Sequence, residues 1–418
     1  MTLFVSQPFS GKYKLCQLCE IAYFVTDKIP LENVLLTDYV TTDSLLPNKE
    51  GRCVAQNLPP QKCALTHYKC GDVLVANIRP YLKKIWFADR EGGASADVLV
   101  FRAKSGHSQE FLYALLLQDT FYDYVMKGKK GSKMPRGDRD QIMRYYIPKL
   151  SLAEEACIGN MILSFCTKVN VNRLINDNLE AMAKQLYDYW FVQFDFPNEK
   201  GKPYKSSGGA MAYNERLKRE IPVGWQCCCV NNLCEINKKA ISKGEYHHIE
   251  YLDTGSITQG YINHTEYYRV DAAPSRAQRK VEDMTIIYSS VRPKLLHYGV
   301  LSMPKENFIV STGFITLDAK NKIMALMVYY FLTSDIVTRY LASIADTAVS
   351  SYPSINPEDV AYLDVVLPNK DTIKKFNDIV EPMFRKMSKL RNEIAVLTKQ
   401  RDELLPLLMN GQASVNSD

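Results

Sequence analysis

A run of basic side chains lies on a glycine- and proline-bearing stretch between positions 127 and 139. It holds six cations and one acid, which gives it a local net charge of +5. Glycines let a backbone approach phosphates closely, and a row of cations releases counterions when it binds DNA. The alternative is a solvated surface loop, which an isolated run of charge more often is. The candidate phosphate-binding residues are Lys127, Lys129, Lys130, Lys133, Arg136 and Arg139.

A second set of candidates surrounds an Arg-Pro pair that occurs once in each half of the chain. An arginine can fork onto guanine or clamp a phosphate, although at a repeated turn it can equally form a structural ion pair. A polar stretch at 350–354 precedes the second long helical pattern, just as the basic run precedes the first. Equivalent loops with unlike side chains are what two different recognition surfaces need. The additional candidates are Arg79, Lys83, Lys84, Arg292, Lys294, Ser350, Ser351 and Tyr352.

Catalytic motifs are missing from the sequence. There is no GxxxxGK[ST] loop, no GxGxxG after a strand, no HExxH and no GxSxG. The Asn/Asp-Pro-Pro-aromatic tetrapeptide of amino-methyltransferases is also missing, because Asn57-Leu58-Pro59-Pro60 does not match it. The net charge of +6 is only a weak sign of a nucleic-acid partner. We therefore expect a binding protein that performs no catalysis and holds no cofactor.

The eleven cysteines raise the question of a metal site. Cys16 and Cys19 form a CxxC, and four more cysteines cluster between 227 and 234. A structural zinc site needs two such pairs, or one pair with nearby histidines, and the six histidines do not supply them. Cys19 and Cys234, between Leu and Glu-Ile in each half, are predicted to lie in buried strands as reduced core thiols. No apolar run approaches 18 residues and the first residues lack a signal core, so we expect no membrane and a cytoplasmic protein.

The sequence elements that must position these side chains occur twice in the chain. Leu-Cys-Glu-Ile occurs at 18–21 and 233–236, an offset of 215. The segments at 39–45 and 251–257 match at an offset of 212, the Arg-Pro pairs at 213, and Ile147-Pro148 with Leu367-Pro368 at 220. Such a period is far longer than that of a solenoid repeat, so each copy is a whole domain with a connector.

Two long stretches carry apolar residues at strict 4-3 spacing, the seam of a coiled coil. They lie 218 positions apart in register, which predicts two helices, each about 48 Å long, that pair with each other. Asn172 and Asn176 fall on the seam as devices that fix register or as a locally hydrated stretch. The first seam is Ile158, Ile162, Phe165, Val169, Asn172, Asn176, Leu179, Ala183, Leu186 and Trp190. The second is Phe376, Val380, Met383, Met387, Leu390, Ile394, Leu397, Arg401, Leu404 and Leu408.

Turn and capping signals divide the chain into segments. Ser151-Leu152-Ala153-Glu154 is a capping box that opens the first long helix, and Pro406 is expected to kink or end the second. The predicted division is a globular domain at 1–150, a long helix at 151–196, a linker at 197–220, a second globular domain at 221–370, a long helix at 371–410 and a disordered tail at 411–418. Residues 111–124 and 324–340 have helical spacing, whereas 73–78 and 286–291 are typical of strands.

These features together resemble the specificity (S) subunit of type I restriction–modification systems, over nearly the whole chain. The resemblance rests on Ile-Pro-x-Gly-Trp at 221–225, the repeated Arg-Pro turns and the Pro-bearing loop before each long helix. It rests also on the helix ends at 186–194 and 400–408. The first half departs from the pattern, because it has Phe9-Ser10-Gly11-Lys12-Tyr13 where the second half has Ile-Pro-x-Gly-Trp.

The resemblance implies an α/β (α+β) chain of two target-recognition domains. Two long helices, paired as an antiparallel coiled coil, would separate them with pseudo-twofold symmetry. Each domain would read one half of a bipartite DNA site, and the helices would dock two methyltransferase subunits. Those partners would carry S-adenosylmethionine and methylate a flipped-out adenine, and two ATP- and Mg-dependent translocase–nuclease subunits would complete the enzyme.

Two other interpretations remain at this stage. The chain could be a protein-interaction scaffold with a coiled-coil spacer and no DNA preference, or a DNA-acting enzyme such as a nuclease. A helical spacer of the predicted length is long enough to set two readers about one DNA turn apart, roughly 34–36 Å.

Overall fold

The computed structural model describes residues 13–61, 63–131, 133–347 and 353–413. Its contacts divide the chain into two compact units. The first unit comprises Met1–Leu174 with Asn392–Asp418, and the second unit comprises Ile175–Arg391. Each unit thus holds part of both long helices. No helix in the described ranges is long and apolar enough to cross a membrane.

The first unit is built on two four-stranded sheets. In its central sheet all neighbours are antiparallel, and each of the two middle strands contains four consecutive buried apolar side chains. The strand order is Ala22–Phe24, Val98–Ala103, Val73–Ala76 and Ile85–Phe87. A side sheet runs Lys28–Pro30, Ala64–Tyr68, Gly92–Ala94 and Tyr39–Val40, and its last pair is parallel. Leu15–Gln17 pairs with Tyr146–Pro148 in a separate ribbon.

Helix Gln109–Leu117 lies at the centre of the first unit's core. Seven of its nine residues are buried, and the Ser108 hydroxyl caps it by accepting from the Phe111 amide at 3.1 Å. It shares one core with the start of the first long helix and the end of the second. The helical prediction for 111–124 is confirmed, with a break at Gln118. The other short helices are Leu18–Ile21, Asp119–Lys127 and Arg139–Met143, with 3-10 turns at Leu31–Asn33, Leu36–Asp38 and Pro80–Leu82.

The second unit repeats this plan. Its central sheet is antiparallel in the order Cys234–Ile236, Phe314–Ala319, Ile286–Ser289 and Tyr298–Val300. Its side sheet runs Glu266–Arg269, His248–Leu252, Phe308–Ser311 and Ala277–Lys280, in which the middle pair is parallel. A single bridge between Ala240 and Arg279 takes the place of the first unit's strand Lys28–Pro30. Glu266–Arg269 is an added edge strand, with no counterpart in the described part of the first unit.

The remaining elements of the second unit are ribbons and short helices. The ribbons are Gln226–Cys229 with Asp364–Leu367, Met211–Asn214 with Arg219–Pro222, and Ile257–Thr258 with Tyr261–Ile262. The short helices are Val230–Leu233, Ala325–Leu332, Asp335–Thr347 and Pro357–Ala361. The 3-10 turns are Thr254–Ser256, Val270–Ala272, Pro293–Leu295 and Lys322–Met324. The helical prediction for 324–340 is confirmed, as are the two strand predictions, with strands ending at Ala76 and Ser289.

The long helices are Leu152–Tyr187, which a π-helical turn at Asp188–Val192 extends, and Lys370–Met409. In each unit the start of one helix shares a core with the end of the other, so they pair antiparallel there. Every predicted seam residue is buried or partly buried. Further buried residues such as Cys166 and Phe384 widen the seam, because each helix half also packs on its own domain. Of the kink or end expected at Pro406, the end is not found, because the helix continues to Met409; a second proline, Pro382, also lies inside it.

The internal repeat is real, but two sequence matches had the wrong register. Helix Leu18–Ile21 corresponds to Val230–Leu233, 212 positions on, and both lead into the first strand of a central sheet. The separation grows to 213 at the Arg-Pro turns and 218 at the long helices. The sequence match of Leu-Cys-Glu-Ile was therefore three residues out of register with the structural repeat. The match of Ile147-Pro148 with Leu367-Pro368 was two residues out of register. The strand prediction for Cys19 is wrong, since Cys19 lies in a short helix, partly buried, whereas Cys234 is a buried strand residue.

The segment at 197–220 contains more order than a plain linker. It includes strand Met211–Asn214 and the start of Arg219–Pro222, and Asp195 accepts from the Ser206 amide at 2.7 Å and its hydroxyl at 2.6 Å. Trp225, from Ile-Pro-x-Gly-Trp, stacks on Phe196 at 4.7 Å between ring centroids and meets Phe194 edge-on at 5.7 Å. Residues 414–418 of the predicted disordered tail lie outside the described residues.

Candidate nucleic-acid interface

The Arg-Pro pair forms the same turn in both units. Arg79 and Arg292 both have left-handed backbone, with φ of 52° and 49°, and each proline opens a 3-10 turn. A positive φ is uncommon for residues other than glycine, so both turns are conformations that their surroundings enforce. Both arginines are exposed. The repeat has therefore kept the position of an exposed guanidinium as well as the fold around it.

The loop ahead of each long helix docks on the Arg-Pro turn of its own unit. In the first unit the Arg79 amide donates to the Pro135 carbonyl at 2.9 Å. In the second unit the Arg292 amide donates to the Pro353 carbonyl, also at 2.9 Å. The structure thus brings two sets of candidates together that lie more than 50 residues apart in sequence. Ser350, Ser351 and Tyr352, the candidates of the second loop, lie outside the described residues.

The basic loop of the first unit is only partly neutralised. Lys130 forms an ion pair with Asp138 at 2.6 Å, and Arg136 forms one with Asp97 at 3.1 Å. The hydrogen bond from Lys130 lowers the pKa of Asp138. Arg139 is exposed and lies near the Phe24 ring, with its guanidinium carbon 5.9 Å from the centroid. Among the described residues no ion pair involves the other three lysines of the loop, all of them exposed: Lys127, Lys129 and Lys133.

The lysines that follow the first Arg-Pro turn are tied into the protein. Lys83 forms an ion pair with Asp119 at 2.9 Å, and Lys49, whose side chain is 7% exposed, reaches the same carboxylate at 2.8 Å. Burial disfavours the charged carboxylate, but the hydrogen bonds from both lysines outweigh it and lower the pKa of Asp119. Lys84 donates to the Thr42 carbonyl at 2.6 Å. Lys83 and Lys84 therefore stabilise the fold through these contacts. Of this group, Arg79 is the side chain best placed to reach a ligand.

In the second unit the pattern of charge is different. Lys294 follows the Arg-Pro turn and forms an ion pair with Asp346 at 2.7 Å, with 67% of its side chain exposed. Pro353 and Ser354 occupy the place of the basic loop's Pro135 and Arg136, since Val291 bridges Ser354 as Ile78 bridges Arg136. The two units therefore present the same backbone arrangement with different side chains.

Sequence reasoning missed one element of the site, which we call the bridging turn: residues 46–51 in the first unit and 258–261 in the second. Asn48 and Lys49 donate their amides to the Leu82 and Lys83 carbonyls, each at 2.9 Å. In the second unit the Gln259 and Gly260 amides donate to the Leu296 and Tyr298 carbonyls at 2.9 and 2.7 Å. Both turns contain consecutive residues with positive φ. Turn-forming residues such as Pro47, Asn48 and Gly260 were the signal available in the sequence.

The cysteines form no disulfide in the described part of the chain. Cys16, Cys166 and Cys234 are buried, whereas Cys53, Cys63 and Cys70 are exposed. Burial raises the pKa of the Cys16 and Cys228 thiols to about 11. The described residues contain no cluster of three potential metal ligands. The expectation of core thiols therefore holds for some of the cysteines only.

Comparisons with known proteins point in one direction. No protein-family model matches the chain. The MjaIX type I restriction enzyme specificity subunit of Methanocaldococcus jannaschii is 24% identical over 321 residues, which are 75% of this chain and 71% of that protein. The HindI type I restriction enzyme specificity subunit of Haemophilus influenzae is 27% identical over 139 residues, 33% of this chain and 30% of that protein.

A solved structure extends this similarity to the whole fold. The S subunit of a type I restriction–modification system from M. genitalium matches with a TM-score of 0.60 at 14% sequence identity, over 98% of both chains. At that identity the match shows a shared fold. Together with the sequence relatives, it confirms the resemblance and the fold class predicted from the sequence.

Proposed function

We propose that this chain is the sequence-specific DNA-binding subunit of a type I restriction–modification complex. Each unit reads one half of a bipartite site, and the long helices dock the methyltransferase subunits. The observation that carries the proposal is the repeated junction of an exposed Arg-Pro turn with the loop ahead of a long helix. One backbone arrangement with unlike side chains suits two different half-sites.

The chemistry of the first unit supports contact with the DNA backbone. Lys127, Lys129 and Lys133 offer charges that no described acid neutralises, on a loop whose glycines allow close approach. Arg79, held beside this loop, is the candidate for a base or a phosphate. In the second unit Arg292 has the same position, but the sequence of the loop beside it, at 350–354, contains no basic residue. We therefore infer that phosphate contacts contribute more to the first half-site.

Catalysis in this proposal belongs to partner subunits. The chain itself is non-catalytic, and S-adenosylmethionine, ATP and Mg are held by the two methyltransferase and the two translocase–nuclease subunits. Exposed apolar side chains on the long helices, among them Leu174 at 63% and Val396 at 55% exposure, are suited to docking such partners. The complex works where the chromosome is, and we place it in the cytoplasm.

Methylome mapping tests the proposal directly. The chain is co-expressed with its methyltransferase subunit in a host without that modification, and methylated adenines are mapped by sequencing. We expect two short motifs at a fixed gap. Arg79→Asn should alter one motif and Arg292→Asn the other, because asparagine tolerates the left-handed backbone but removes the guanidinium.

Two results would contradict the proposal. Methylation without a bipartite motif, or a gel shift of the reconstituted complex with no sequence preference, would favour the scaffold interpretation. Cleavage of DNA by the purified chain alone with divalent metal would show that it is an enzyme after all.

A further inference from the structure

The bridging turns have a second set of contacts, on the long helices. In the first unit Glu50 forms an ion pair with Arg173 of the first long helix at 2.9 Å. The neighbouring Lys49 approaches Asp402 of the second long helix at 3.7 Å. The same turn donates its amides to the residues that close the Arg-Pro turn. It therefore lies between the candidate DNA-contacting turn and both long helices.

The second unit makes the same connection with different chemistry. The Arg391 guanidinium donates to the Gly260 carbonyl at 3.1 Å and lies over the Tyr261 ring, 4.4 Å from its centroid. The Tyr261 hydroxyl donates to Asp177 of the first long helix at 3.4 Å. Gly260 has φ of +78°, and a Cβ there would stand 2.7 Å from the arginine nitrogen. The positive φ favours glycine at this position, and a Cβ there would require the end of the Arg391 side chain to shift.

Arg173 and Arg391 are equivalent by the internal repeat, because they are 218 positions apart, as the long helices are. Their side chains are 26% and 14% exposed. Such enclosed guanidinium groups are poorly placed to contact phosphates themselves. Yet each holds the turn that supports the exposed Arg-Pro turn of its own unit. The repeat has preserved this connection although its contacts differ, which indicates a role beyond one particular ion pair.

We propose that the bridging turns fix each Arg-Pro turn on the long helices, so that Arg173 and Arg391 are positioning residues for DNA recognition. Each acts on the half-site that its own unit reads. The inference rests on the proposed function and adds to it the residues that transmit geometry from the helices to the reading surface. A recognition group that is displaced by about 1 Å loses much of its discrimination, so these contacts affect specificity more than affinity.

The test uses the methyltransferase complex and reads the methylated motif half by half. The variants are Glu50→Arg, Arg173→Glu, their double exchange, and Arg391→Gln. We expect Glu50→Arg to relax discrimination in one half-site about tenfold, and the double exchange to restore it by reversing the ion pair. Arg391→Gln should relax the other half-site by a similar factor. Lys168→Ala and Lys389→Ala, exposed on the same helices, are the controls and should leave both halves unchanged.

The possible outcomes distinguish a failure of this inference from a failure of the proposed function on which it rests. If the wild-type complex shows no bipartite motif, the proposed function and this inference both fall. If the wild type is bipartite but the variants keep both motifs intact, only the positioning role is refuted. Equal relaxation of both halves, or no recovery in the double exchange, would also refute it, because general destabilisation is neither confined to one half nor repaired by a reversed pair. Thermal unfolding of each variant shows that the complexes compared are folded.

Discussion

Neutralising the three lysines of the basic loop that pair with no described acid should flatten the salt dependence of DNA binding. The perturbation is the triple change of Lys127, Lys129 and Lys133 to Gln. Lys130 is left in place because Asp138 already neutralises it at 2.6 Å. Each phosphate contact contributes about 0.9 to the slope of log affinity against log salt concentration. Three contacts therefore predict a slope shallower by about 2.7.

That difference in slope is large enough to measure. Between about 50 and 200 mM NaCl, the wild-type complex should lose about 40-fold more affinity than the triple variant. Fluorescence anisotropy on one labelled duplex, at a series of salt concentrations, gives both slopes. Lys130→Gln alone should change the slope by well under one, because its charge is already shared with Asp138.

A matched control separates contact from net charge. Lys370, Lys374 and Lys375 are exposed at the start of the second long helix, and their change to Gln removes the same three charges. We expect this control to keep the wild-type slope. An unchanged slope in the loop variant would return the basic loop to an ordinary solvated surface. An equal change in both triple variants would mean that long-range charge, and not contact, sets the salt dependence.

Three further predictions address stability and geometry. Asp119→Asn should destabilise the protein at pH 7 but less at pH 3. Folding lowers the pKa of Asp119 below its ordinary 3.8, so the stability that its charged carboxylate contributes is lost as pH falls through the folded pKa. Melting temperatures of the wild type and the variant across pH measure this, and a difference between the two that stays constant with pH would refute it. Trp225→Ala should cost about 3–5 kcal/mol in chemical unfolding, whereas Val223→Ala, at an exposed position, should cost under about 0.5 kcal/mol; equal costs would show that the ring stack is unimportant. Adding one heptad to both long helices should widen the gap between half-sites without altering either half, and an unchanged gap in the methylome would show that the helices do not set it.

Periodicity made the long helices predictable. A 4-3 spacing over more than four heptads leaves few alternatives, and the capping box at Ser151 placed the first helix start at Leu152. Pro406 led to the expectation of a kink or an end in the second helix, because proline removes one amide and crowds one carbonyl. Near the end of a 40-residue helix packed through Leu405 and Leu408, that local cost is outweighed by burial.

The candidate site was predictable only in part, because its contacts join distant segments. Arg79 and the basic loop were recognisable by residue type, but nothing local showed that the Arg79 amide binds Pro135. Lys49 and Arg391 were invisible as site residues, since a lone lysine in a turn or an arginine on a helix has no signature. The register of the repeat was misassigned for a related reason. A matching tetrapeptide is weaker evidence for equivalent positions than the pairing of whole strands, because burial of one strand face fixes the strand register.

The division of the chain also constrains the order of events during synthesis. The first unit needs Leu405, Leu408 and Met409 for its core, and these follow the 217 residues of Ile175–Arg391. At translation rates of about 5–20 residues per second, the nascent first unit waits about 10–40 s for its last helix. Its apolar core remains incomplete over that interval, while Ile175–Arg391 can close as soon as it leaves the ribosome. We therefore expect the second unit to fold first, against the direction of the chain.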